Sequence, residues 1–125
     1  EWLRRAKSNL ALAKAGRISE EILYEDLCFD AQQAVEKALK SLCVIQGIKF
    51  SKVHDISYLM ELLEKGDIKI PKKLQRARIL TDYAVETRYP GDYVPVDEDM
   101  YKDALKLAEK IVSWVRKIVE AKEGY

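Results

Sequence analysis

A chain of 125 residues suits one domain, and 48% hydrophobic with 34% charged residues supports a packed core and argues against disorder. The 22 basic and 21 acidic residues leave a net charge of +1, which excludes a protein that coats nucleic acid by charge alone. Five glycines and three prolines are too few for many short strands joined by tight turns.

The pattern predicts helix almost throughout. Over residues 1–15, Leu3, Ala6, Leu10 and Ala13 recur at three- and four-residue steps and mark one apolar stripe, which Gly16 stops. Ser19 is the expected cap of a long second helix over 19–46, with Glu20 and Glu21 in its first turn and Gly47 at its end. Its stripe runs through Leu27, Ala31, Ala34, Ala38, Leu42 and Ile45, and the small residues let a neighbouring helix come close. Asp55 is expected to cap a short third helix over 56–65, closed by Gly66. Pro71 suits the first turn of a fourth helix over 71–88, with Leu74, Ala77, Leu80, Ala84 and Val85 inward. After Pro90, Gly91 and Pro95, Asp97 caps a fifth helix over 98–121 with a broad apolar face. The expected fold is all-α: an antiparallel four-helix bundle over residues 1–125, with the short third helix lying across one end.

The longest aliphatic stretch, Leu42 to Ile45, is far short of the roughly 20 residues that span a bilayer, and with no charged-then-apolar run at the start no signal peptide is expected in residues 1–125. Cys28 and Cys43 fall fifteen residues apart on one helix, about 22 Å, and cannot pair with each other. Two reduced, half-buried thiols and a cytoplasmic location are expected. Charge is uneven along the chain. Residues 1–17 and 69–78 each carry five bases, and residues 18–30 and 92–103 each carry five acids. Three accounts fit this: neighbouring faces that attract, a basic cleft that receives phosphates, or a contact between subunits.

Three segments carry candidate chemistry. In 32–40, Gln33, Lys37 and Lys40 share one helix face. In 53–56, His54 is the only histidine. With Asp55 it cannot make a metal site without further ligands, but it could act as an acid/base, and Asp55 could equally just start a helix. In 81–93, Arg88 ends a helix before a Tyr-Pro-Gly turn, with Tyr89 and Tyr93 close by. Such an arginine caps the last carbonyls or clamps a nucleotide, guanidinium to phosphate and rings to base. No Gly-rich phosphate loop, Gly-x-Ser-x-Gly elbow or Cys-x-x-Cys pair is present.

Taken in order, residues 32–40, His54-Asp55-Ile56 and Thr87-Arg88-Tyr89-Pro90 make the chain resemble the HEPN family (higher eukaryotes and prokaryotes nucleotide-binding domain). The resemblance implies a small helical homodimer without cofactor or metal. It also implies a minimal nucleotidyltransferase as partner in a toxin–antitoxin pair, and a nucleotide or RNA ligand held by Arg88, Tyr89, Tyr93, Gln33, Lys37, His54 and Asp55. Active relatives are metal-independent ribonucleases in which a His follows the Arg after four to six residues. Here Tyr93, Val94 and Pro95 stand in those places, so the usual general acid/base is missing. Tyr93, with a reference pKa near 10, is a poor substitute. A binding module is therefore expected ahead of a ribonuclease using Arg88, His54 or Tyr93, and ahead of a purely structural subunit.

Overall fold

In the computed structural model, residues 1–52, 55–83 and 96–122 are described. Helix α1 (Trp2–Ala15) buries Ala6 and Ala13, with Leu3 and Leu10 packed against the core. Gly16 ends it at φ 71, a left-handed conformation that favours glycine.

Helix α2 (Tyr24–Ile45) begins later than the expected residue 19. The Ser19 hydroxyl accepts a hydrogen bond from the Glu21 amide at 3.2 Å, two residues on. That local turn occupies the side chain which would otherwise cap a helix. The cap position falls to Leu23, and Glu25 and Asp26 take the first turn, where the helix dipole favours acids. At the far end Gly47 (φ 70) donates to Val44 O and Ile48 donates to Cys43 O, a Schellman motif that satisfies two terminal carbonyls.

Helix α3 (Ile56–Lys65) starts where expected, with the Asp55 carboxylate accepting from the Tyr58 amide at 3.2 Å. It also ends in a Schellman motif: Ile68 donates to Leu63 O and Asp67 to Glu64 O. The left-handed residue there is Asp67 (φ 67), not Gly66.

The expected fourth α-helix is instead a 3₁₀ segment, Lys72–Tyr83. Its buried residues are Leu74, Ala77 and Leu80. Steps of three keep all of them on one line only if the backbone turns once every three residues. The Leu74 amide accordingly bonds three residues back, to Pro71 O at 2.9 Å. The rest of that expected helix, up to residue 88, lies outside the described residues.

Helix α4 (Glu98–Lys122) is capped by Asp97, whose carboxylate accepts from the Met100 amide at 2.8 Å. Its inner face holds Tyr101, Ala104, Leu107, Ala108, Ile111, Val112, Val115 and Val119.

Among the described residues every regular element is helical. Trp2 meets Lys40, while Asn9 meets Asp30, so α1 and α2 run in opposite directions. Helix α2 packs against every other element, and the 3₁₀ segment completes the bundle against α4. The Tyr101 hydroxyl donates to Ala13 O and ties the start of α4 to the end of α1. Among the described residues, no helix is long and apolar enough to cross a membrane.

Candidate functional site

The middle of α2 buries polar side chains along with its apolar stripe. Gln32, Gln33, Glu36 and Lys40 are each at most 7% exposed. Groups so buried need partners, because an unpaired polar group in a low-dielectric interior is costly. They find them in one another. Glu36 accepts from the Gln32 amide at 3.0 Å, from the Gln33 amide at 3.3 Å and from the Lys40 ammonium at 2.7 Å. Gln33 also donates to the Gln32 carbonyl oxygen at 2.8 Å. The helical steps from 32 to 36 and from 36 to 40 are what bring these tips together. The Lys40 ammonium lies 5.1 Å from the Trp2 ring centre and 5.8 Å from that of Phe50. Those two rings meet edge to face at 6.3 Å. Both have a negative face that attracts the cation.

The face expected to join Gln33, Lys37 and Lys40 divides. Gln33 and Lys40 converge on Glu36, whereas Lys37 donates to the Asn9 side chain of α1 at 2.8 Å. Asn9 in turn donates to Asp30 at 3.3 Å. Burial pushes the Asp30 carboxyl above the usual range, against the pull of Asn9. Asp55 is engaged as the cap of α3. His54, Arg88, Tyr89 and Tyr93 lie outside the described residues.

The flanks of two motifs do meet. The Ile56 amide donates to the Thr81 hydroxyl at 3.1 Å, so the chain leading to Arg88 is fastened beside the chain that leaves His54. The Tyr58 hydroxyl accepts from the Ser51 amide at 3.1 Å and from its hydroxyl at 3.2 Å, which secures the loop ahead of His54. These bonds hold Tyr58 below its ordinary pKa. Burial pushes Tyr83 up, with Cys28 of α2 adding to it. Sequence reasoning gave Thr81, Glu36 and Trp2 no role in a site. Thr81 and Trp2 have their partners on other elements, whereas Glu36 meets Gln32, Gln33 and Lys40 of its own helix at helical spacing. Among the described residues, no three His, Cys, Asp or Glu side chains gather as metal ligands would.

The HEPN domain family model matches residues 1–118. The chain belongs to the HEPN family. It is 26% identical over 137 residues to the Methanocaldococcus jannaschii protein named "Putative toxin MJ1304", across 98% of this chain and 89% of that protein. Two crystal structures share the HEPN fold seen here. TT1696 from Thermus thermophilus is 32% identical, with TM-score 0.78 over 93% of this chain and 94% of its own. ST0689, described as an archaeal HEPN homologue, is 26% identical, with TM-score 0.73 over 94% of each chain.

Proposed function

We propose that this HEPN domain is a toxin-like module that binds RNA or nucleotides as a homodimer and works with a minimal nucleotidyltransferase. The likeness to the Methanocaldococcus jannaschii protein carries this reading, because it extends along nearly the whole of both chains. The Thr81–Ile56 bond supports it, since it draws together the flanks of the two segments that hold Arg88 and His54. Arg88 supplies a charge-assisted, bidentate grip on phosphate, and Tyr89 and Tyr93 supply faces for a base. With Tyr93 where active relatives place His, the module holds RNA without cutting it.

Incubation of the purified protein with total RNA, with and without EDTA, tests this. Intact RNA that shifts in a native gel is expected, with binding weakened about 10-fold or more in Arg88→Ala. EDTA-resistant cleavage that disappears in Arg88→Ala would replace the binder with a ribonuclease. Co-purification with a nucleotidyltransferase encoded beside the gene tests the partner.

A further inference from the structure

A groove of about 460 Å³ lies between the 3₁₀ segment and α4, on residues outside the three motifs. Lys73 lines it from one side; Glu109, Lys110, Ser113, Trp114 and Lys117 line it from the other. The steps from 110 through 113 and 114 to 117 place four of these on one face of α4. The volume falls in the range of pockets that enclose small ligands, roughly 300–1,000 Å³.

The charge in this groove is unbalanced. In the basic run 69–78, Arg76 pairs with Asp103 at 3.1 Å and Arg78 with Glu64 at 2.9 Å. Those two arginines follow the attraction between neighbouring faces. Lys73 does not: among the described residues Lys73, Lys110 and Lys117 form no ion pair. The acid on the groove, Glu109, faces Lys14 of α1 at 3.9 Å. Three lysines therefore share the groove with a half-buried indole and with one carboxylate that already has a cation beside it.

We propose that this groove binds a nucleoside phosphate, with the base against Trp114 and the phosphates among Lys73, Lys110 and Lys117. An indole offers stacking area to any base, and lysines suit phosphate as point charges. Ser113 adds a hydroxyl that can donate or accept. An acidic peptide would satisfy the lysines but would leave the aromatic wall unused. The groove shares no residue with the Arg88 site and does not depend on it. The same chemistry is presented by a free nucleotide and by the phosphorylated end of single-stranded RNA.

Isothermal titration with ADP, adenosine, pyrophosphate, polyglutamate and a 5′-phosphorylated tetraadenylate tests the proposal. ADP is expected to bind with a Kd below about 1 mM, tighter than adenosine or pyrophosphate. The Lys73→Ala/Lys117→Ala double variant, which changes exposed side chains only, should weaken ADP by about 10-fold or more. In an NMR titration the Trp114 indole N–H signal, assigned with Trp114→Phe, should shift with ADP. Tetraadenylate binding 10-fold tighter than ADP would make an RNA end the ligand, and equal affinity would make it a free nucleotide. Unchanged affinity in the double variant overturns the site, as does a Trp114 signal that stays still. So does polyglutamate binding as tightly as ADP. Loss of ADP binding in Arg88→Ala with retention in the lysine variant removes the groove and leaves the Arg88 reading standing.

Discussion

Cys28 and Cys43 are fully buried rather than half-buried, and burial pushes their thiols from the usual 9.0 up to about 12 and about 11. The thiolate is the reactive form. Both should resist a disulfide reagent at pH 9 in the native protein and react only after unfolding, as absorbance of the released thiol would report. The same shifts set the alkaline limit. Above pH 9 the unfolded chain loses thiol protons that the folded chain keeps, so the folded state binds more protons and stability falls as pH rises towards 11. Melting temperatures should drop across that window, less steeply in Cys28→Ala/Cys43→Ala. The Glu36–Lys40 pair responds differently. Lys40→Met would remove the Lys40 ammonium from the buried Glu36 carboxylate, a loss of about 3–5 kcal/mol by urea unfolding. Gln33→Met, which removes one neutral donor, should cost less, about 1–3 kcal/mol.

At the scale of elements, the ends of α3 show what was legible and what was not. Asp55 announced itself, because an acid before an apolar run has a local reason to be there: it accepts the Tyr58 amide. Gly66 drew attention at the other end, yet the left-handed position is Asp67. Gly66 serves close packing instead, since a Cβ there would stand 2.7 Å from the tip of the Ile48 side chain, which would have to shift. Asp67→Gly should therefore relieve backbone strain and raise stability by about 0.5–1 kcal/mol, measured as a higher urea midpoint. The 3₁₀ segment was partly legible. Leu74, Ala77 and Leu80 were assigned inward correctly, but steps of three also fit the edge of an α-helical stripe. Ser19 misled for a related reason: its hydroxyl serves a tight turn as well as a cap.

At the scale of the molecule, the bundle was readable because nearly every apolar stripe has helical spacing and a marked stop. The Glu36 cluster was not, since its burial depends on helices distant in sequence. Trp2 and Phe50 enclose Lys40 only after α1 and the loop beyond α2 fold back. Large apolar side chains remain uncovered, with Leu12, Leu23 and Val44 more than half exposed and Ile18 at 80%. The homodimer proposed above would cover apolar side chains of this kind. Light scattering at micromolar concentration is expected to give about twice the 14.4 kDa of one chain, and a single-chain mass would remove the dimer.

The central position of α2 also governs how the fold comes apart. Helix α2 is covered by α1, α3, α4 and the 3₁₀ segment, and its residues from Ala31 to Cys43 are buried apart from Lys37. An amide in that stretch can meet solvent deuterium only when several neighbours have left together. Opening there is then equivalent to global unfolding, and its exchange free energy measures the stability of the whole unit. The first turn of α1 has no side-chain cap and lies at a rim, so its amides are released by fraying alone.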